Sequence, residues 1–175
     1  MKSKLYILRR IKSHLSLHAR KIFCNSYMFP YLDYCCTVWG NTTKDNLTKL
    51  HRLQKRAARL VCNDSTSSSN DLFSKLKWIP IERRIEYGKL VMVYKSLNNI
   101  CPQYMKDMLS HQTNTNYNMR STSQGKLSVP KVNVEMFRKS FVYSASHLWN
   151  QLPQHLKHAD SLRKFKQSCL SYMST

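Results

Sequence analysis

Residues 43–62 carry the one pattern in this 175-residue chain that most limits its possible folds. At about 100° per residue, one half of a helix would hold the apolar side chains Leu47, Leu50, Leu53, Ala57, Leu60 and Val61. The other side would hold Lys49, Arg52, Arg56 and Arg59 within an arc of about 80°, flanked by Lys44 and Lys55. Thr42 or Thr43 can cap its start. The pattern predicts a helix with one packing face and one positive face. We call Lys49, Arg52, Lys55, Arg56 and Arg59 the basic ridge.

The rest of the chain also favours helices. It has only three glycines, where average usage predicts about a dozen, and sheets with many tight turns need more than that. Helical spacing recurs at 3–12, 16–29, 71–77, 81–98, 102–110, 137–150 and 161–173. Pro30 can open a helix and Gly40 can end one. Residues 111–125 predict a loop, and 126–134 at most a short β-hairpin. The expected fold is mainly α, a small helical bundle followed by a second mostly helical segment.

A polar stretch, NDSTSSSN at 63–70, interrupts these patterns. It has no periodic apolar residues, as is typical of a linker. We therefore predict a helical region at 1–62, a linker at 63–70 and a second region at 71–175.

The formal net charge of +20 predicts an anionic partner, with nucleic acid ahead of an acidic membrane surface. Thirteen Lys and Arg precede residue 63, against Asp33 and Asp45 alone. The cations upstream of the basic ridge include Arg9, Arg10, Lys12, Arg20 and Lys21. A charged face is usually only a solvated face, but this one has almost no compensating acids. Contacts to phosphates would position a nucleic-acid backbone rather than read its bases.

Catalytic and metal-binding constellations are weak in this sequence. Polymerases and nucleases need clustered carboxylates for two Mg²⁺ ions about 3.5–4 Å apart, and the nearest pair is Glu82 and Glu86, one helical turn apart. His14 and His18 would share a helix face at a spacing that can bind zinc, but no third ligand suits them. The sequence has no glycine-rich nucleotide-binding loop and no nucleophile elbow. We expect no catalytic residue, metal or cofactor in this chain.

The six cysteines favour reduced thiols in an intracellular protein, nuclear or cytoplasmic. No secretory signal pattern follows Met1, and no apolar run approaches the roughly 20 residues of a membrane span. Buried cysteines that behave as small apolar residues are the preferred interpretation.

Several ordered motifs resemble the thumb and post-thumb region of LINE-type (non-LTR) retrotransposon reverse transcriptases of the jockey-like clades. The thumb-like motifs are LYILRR (5–10), YMFPYLDYCCTVWG (27–40) and LHRLQKRAARLV (50–61). The later motifs are LKWIPIERRIEY (76–87), VYKSLNNICPQYM (93–105), YNMRS (117–121) and SFVYSASHLWNQLPQHLK (140–157). Together they cover nearly the whole chain.

The resemblance implies a parent RNA-directed DNA polymerase that uses Mg²⁺. Its catalytic palm and its endonuclease would lie before Met1, so this chain would be a truncated piece without polymerase activity of its own. Family thumbs follow the template–primer duplex by its backbone, and that role would fall on the basic ridge. The resemblance offers no residue-level role for residues 70–175.

Two other interpretations remain open at this point. A basic protein-interaction module would use the positive face to bind an acidic protein. An inert, decayed fragment would fail to fold without the palm, and its apolar helix face would then aggregate.

Overall fold

The computed structural model describes residues 1–109 and 125–174, and it confirms a mainly helical fold. The chain divides into two compact units, Met1–Ile85 and Glu86–Thr175. The helices that begin in the first unit are α1 (Lys2–Ile11), α2 (Leu17–Tyr27), α3 (Pro30–Asp33), α4 (Cys36–Trp39), α5 (Lys44–Cys62), α6 (Ser69–Leu76) and α7 (Ile81–Leu97), and α7 continues into the second. The second unit adds α8 (Gln103–Asp107), α9 (Glu135–Arg138), α10 (Phe141–Gln151), α11 (Gln154–Lys157) and α12 (Leu162–Ser174).

Local signals set many of the helix ends. The hydroxyl of Ser16 accepts a hydrogen bond from the backbone N–H of Ala19 at the start of α2, and Ser68 and Ser140 cap α6 and α10 in the same way. Pro30 occupies the first turn of α3, as predicted. Thr43 stands at the predicted start of α5, although its side chain makes no capping hydrogen bond. The helix ends with a left-handed residue at Asn63.

The first unit packs around α5, which contacts α1, α2 and α6. Its fully buried positions are Gln54, Ala57, Ala58 and Val61, spaced at i, i+3, i+4 and i+7. The predicted packing face is confirmed, but its centre is this line, with Ala57 and Ala58 in its middle, and not the leucines, which are only partly buried at its sides. Small side chains let the helices approach closely. Gln54 is tolerated there because its Nε2 donates to the carbonyl of Ile79 at 2.7 Å.

Residues 63–70 form an ordered connection inside the first unit. The Asp64 carboxylate accepts hydrogen bonds from the backbone N–H groups of Thr66 (2.9 Å) and Ser67 (3.1 Å) and from the Ser67 hydroxyl. These bonds favour the charged form and hold the pKa of Asp64 well below its usual value. The predicted boundary at 63–70 therefore does not separate the two units. It falls within Met1–Ile85, because α6 packs directly against α5.

The second unit is organised around three aromatic rings. Phe165 is fully buried and stacks on Tyr94, with 4.3 Å between ring centroids, and Trp149 lies 6.0 Å from it. The polar ends of these rings are satisfied: the Tyr94 hydroxyl donates to the Ala159 carbonyl at 2.6 Å, and Trp149 Nε1 donates to the Gly125 carbonyl at 3.1 Å. The aromatic side chains therefore join separate segments into one core.

Within the described ranges, residues 126–134 contain no strand; a short hairpin was the most that the sequence allowed there. The side-chain amide of Asn150 in α10 contacts this segment. Its Oδ1 accepts from the backbone N–H of Leu127 at 2.8 Å, and its Nδ2 donates to the Leu127 carbonyl at 2.9 Å. One side-chain amide thus satisfies the backbone of a buried residue. Most of the loop predicted at 111–125 lies outside the described residues.

Gly40 follows α4 where the chain passes close to the first turn of α7. A Cβ atom added there would collide with the carbonyl oxygen of Cys36 and with Cγ2 of Ile85. The backbone φ of Gly40 is ordinary, so the requirement for glycine is one of space. The predicted helix stop is confirmed, with close packing as its physical reason.

None of the helices in the ranges 1–109 and 125–174 combines the length and apolar character needed to cross a bilayer.

Candidate nucleic-acid interface

The basic ridge lies along the surface of α5. Lys49, Arg52, Arg56 and Arg59 are exposed, and Lys55 is half-buried. From residue 49 to residue 59 the helix rises about 15 Å. The predicted separation of a packing face from a charged face is therefore present in the folded helix.

Within the described residues, the cations of the basic ridge have no ion-pair partner. The ion pairs in ranges 1–109 and 125–174 include His51 with Glu82, Arg84 with Asp33, Arg138 with Glu135 and Lys164 with Asp160, and none involves the basic ridge. Asp45 lies one turn before Lys49 but does not pair with it. Uncompensated positive charge along a helix repels itself, so it raises the affinity of this surface for an external anion.

Helix α1 adds cations beside the basic ridge. A groove of about 480 Å³ runs between α1 and α5. Its lining consists of Lys2, Leu5, Tyr6 and Arg9 from α1 and Leu53, Arg56, Arg59 and Leu60 from α5. We call this groove the cationic groove. A neighbouring depression of about 490 Å³ shares Lys2, Leu53, Arg56 and Arg59 with it and is also lined by Lys49, Arg52 and Lys55.

Arg9 and all five residues of the basic ridge thus lie on one continuous surface. The other two predicted site residues, Arg10 and Lys12, do not line it. The Arg10 guanidinium lies 5.9 Å from the centroid of the Tyr6 ring and does not line the groove. Lys12 Nζ donates to Asn63 Oδ1 at 2.8 Å. Because Asn63 ends α5, Lys12 ties the end of that helix to the segment after α1.

Two residues of this surface were missed from the sequence. They are Lys2 and Tyr6. Together with Arg9 they are spaced at i, i+4 and i+7, which places all three on one face of α1. That spacing is the signal in the sequence for Lys2 and Tyr6, whereas the run of charges alone favours the adjacent pair Arg9 and Arg10. Lys4 points elsewhere, with its ammonium 3.7 Å from the centroid of the Tyr27 ring.

The candidate metal ligands do not come together. His14 ends the short 3-10 turn after α1, and Leu15 is extended before α2 begins, so the predicted shared helix face of His14 and His18 is wrong. The cap that Ser16 provides is the physical reason for the break. Glu82 contacts His51, with 3.0 Å between Oε2 and Nδ1. Among the residues that the structure describes, no three His, Cys, Asp or Glu side chains form a group that could hold a metal.

All six cysteines are free thiols, with Cys24, Cys36 and Cys169 buried. Burial raises the pKa of Cys24 to about 12 and that of Cys169 to about 11. Buried thiols that stay protonated are poor nucleophiles and poor metal ligands.

Comparisons with protein-family models, with curated proteins and with solved structures find no match for this chain. The ligand of this surface must therefore be inferred from its own residues. These residues are cations beside apolar side chains.

Proposed function

We propose that this chain binds the phosphate backbone of nucleic acid through the basic ridge and Arg9. The observation that carries the proposal is a row of cations on one helix face with no ion-pair partner among the described residues. A cationic face that serves only solubility is usually interspersed with acids. Here Asp45 is the only acid in α5, and it lies at the first turn.

The length of the basic ridge suits a phosphate backbone. One strand of a duplex carries a phosphate about every 3.4 Å, so a rise of about 15 Å faces roughly four phosphates. Each neutralised phosphate releases counter-ions and contributes about −0.9 to the slope of log K against log salt concentration. We expect a steep salt dependence and little sequence preference, because none of these contacts reads a base edge.

We further propose that the chain is the thumb and post-thumb part of a LINE-type retrotransposon reverse transcriptase. The ordered motifs support this origin, and so does the agreement between the thumb's expected backbone contacts and the basic ridge. The palm that would hold catalytic Mg²⁺ is not part of this sequence. Purified chain is therefore expected to show no primer extension, and any extension would contradict this assignment.

The decisive experiment reverses charge on the ridge and compares it with an equal reversal elsewhere. Arg52→Glu with Arg56→Glu should weaken binding to an RNA–DNA duplex at least tenfold, measured by fluorescence anisotropy across a salt series. Lys131→Glu with Lys139→Glu makes the same change in formal charge at exposed positions of the second unit. That control should lose much less affinity.

Equal losses in the two double variants would mean that net charge, and not this surface, governs binding. Unchanged affinity in the Arg52/Arg56 variant would remove the basic ridge from the proposal. If purified chain binds an acidic protein and that binding survives nuclease treatment, the protein-interaction module becomes the better assignment.

A further inference from the structure

The cationic groove has a feature that phosphate binding does not require. Below its rim of Lys2, Arg9, Arg56 and Arg59, the walls are apolar and come from Leu5, Leu53 and Leu60. Leu5 is buried, while Leu53 and Leu60 are only partly covered. Apolar surface left open beneath four cations predicts a ligand that is both anionic and apolar.

Tyr6 gives this groove an exposed aromatic side chain. Its ring lines the cationic groove, yet 61% of its surface is accessible. An exposed ring beside a positive groove is the combination by which proteins bind single-stranded nucleic acid, because every base has a face that stacks on an aromatic side chain. The volume of about 480 Å³ is within the range of small-ligand pockets.

We propose that the cationic groove holds an unpaired nucleobase of a strand whose phosphates lie along the basic ridge, so that the chain prefers single-stranded nucleic acid to a paired duplex. This inference rests on the proposed function and extends it. In a duplex the bases are already stacked on each other and cannot enter the groove. In a single strand, a base can lie on the apolar walls beside Tyr6 while its flanking phosphates contact the rim.

Charge and continuity favour a nucleic-acid strand over other anionic amphiphiles. The neighbouring depression extends the positive surface beyond the groove to Lys49, Arg52 and Lys55. A single lipid headgroup would occupy only part of this surface. A polyanion with apolar groups spaced along it would use both the row of cations and the apolar walls.

The first test compares two ligands of equal length, a uridine-rich single-stranded RNA and an RNA–DNA duplex, with Tyr6 variants of the full chain. Wild type should bind the single strand more tightly. Tyr6→Ala should weaken binding of the single strand about tenfold, the scale of one base–aromatic stack, and change duplex binding less than about twofold. Tyr6→Phe keeps the ring and should retain wild-type affinity. Tyr34→Ala is the matched control, since Tyr34 is 77% exposed and lies outside the groove.

A second test locates the base directly. Single-stranded RNA that carries 5-iodouridine is irradiated in complex with the chain, and the crosslinked peptide is identified by mass spectrometry. Crosslinks at Tyr6 support the proposal. Crosslinks found only outside the groove overturn it.

The outcomes separate this inference from the function on which it rests. If Arg52→Glu with Arg56→Glu weakens both ligands but Tyr6→Ala weakens neither, the backbone interface stands and the base site is wrong. If the Arg52/Arg56 variant binds both ligands like wild type, the proposed function itself fails. Tighter wild-type binding to duplex than to single strand also overturns the base site. The base site is also wrong if phosphatidylserine vesicles displace the RNA from the groove through Tyr6, so that Tyr6→Ala abolishes the displacement. That result would assign the groove to lipid.

Discussion

Both compact units carry an excess of cations, but the first unit places five of them in one row on a single helix face. In the second unit, Lys164 pairs with Asp160 at 2.8 Å, and Lys89, which is buried, donates to Ser144 at 2.9 Å. In the first unit, the basic ridge has no such partners among the described residues, although Arg84 in the same unit makes a two-point contact with Asp33.

This difference separates cations that are paired inside the fold from cations that are available to an external anion. A paired cation is a poorer site for an external anion. An unpaired row destabilises its own helix slightly and leaves its charge available to a ligand. Two measurements test this comparison. One is the free energy of unfolding of each unit, and the other is whether replacing a given cation lowers or raises that free energy.

The largest expected effect is in thiol reactivity, which reports on each unit separately. Cys24 lies in the first core and Cys169 in the second. With its pKa raised to about 12, Cys24 should hold about a thousandfold less thiolate at neutral pH than an ordinary thiol. Alkylation followed by peptide mass spectrometry should label exposed Cys35 first and the buried Cys24 and Cys169 only on unfolding. Labelling of Cys24 as fast as Cys35 would contradict a packed first unit.

The same thiols predict a loss of stability in alkali. Their folded pKa values, about 12 and about 11, lie above the ordinary 9.0. The unfolded chain therefore ionises first, so their contribution is complete below about pH 9 and falls as the pH rises toward 12. Urea unfolding at pH 8 and pH 10 should show the lower midpoint at pH 10.

The next effect concerns the aromatic core of the second unit. Phe165→Ala removes a fully buried ring that contacts Tyr94 and Trp149, so unfolding should become easier by about 3–5 kcal/mol. Cys169, four residues later on α12, should lose its protection from alkylation. Tyr172→Ala is the control on the same helix because Tyr172 is 47% exposed. A change below about 1 kcal/mol for Phe165→Ala would show that this core does not hold the unit together.

Arg84→Ala should cost about 1 kcal/mol in the first unit. The guanidinium loses its contact with Asp33, and it also lies 4.7 Å from the centroid of the Phe29 ring. The estimate is modest because half of the Asp33 side chain is exposed to water. Denaturant unfolding measures the effect, and Arg84→Lys, which keeps the charge but not the two-point contact, should lose less stability than Arg84→Ala. No loss of stability would remove the distinction between paired and unpaired cations in this unit.

The smallest expected effect is a gain in stability, where the variants above lose stability. Arg56 lies four residues after Arg52 and three before Arg59, and like charges at these spacings destabilise a helix by roughly 0.2–0.5 kcal/mol per pair. Arg56→Gln should therefore raise stability by a few tenths of a kcal/mol at low salt while it weakens nucleic-acid binding. A clear loss of stability would mean that Arg56 has a structural role.

The sequence predicted the helices better than it predicted the contacts between them. The bounds of α5 were predicted correctly, because a long amphipathic pattern with a threonine before it and a turn after it leaves little freedom. Gln54 was not expected at the centre of the packing face, since its one side-chain hydrogen bond there is to the carbonyl of Ile79, which is distant in sequence. The contact of the Asn150 amide with the Leu127 backbone was not expected for the same reason.

The same distinction between positions on one helix and contacts between helices applies to the candidate site. Positions on one helix were predictable, and the exposed basic ridge lies where its spacing placed it. The pairing of α1 with α5 was not predictable, because it depends on tertiary packing of Leu5 and Leu8 against the α5 face. Lys2 and Tyr6 were therefore missed, and Lys12 was included although it binds Asn63.

Gly40 restricts how this sequence can diverge. Of the two groups that a new Cβ would meet, the side chain of Ile85 can be shortened by a second substitution, but the carbonyl oxygen of Cys36 belongs to the backbone that every amino acid shares. Shortening Ile85 alone therefore leaves the second contact in place, and the backbone at Cys36 would have to shift. A genetic selection for suppressors of Gly40→Ala should therefore return glycine codons and not compensating pairs, and diverged copies that still fold should keep glycine at this position.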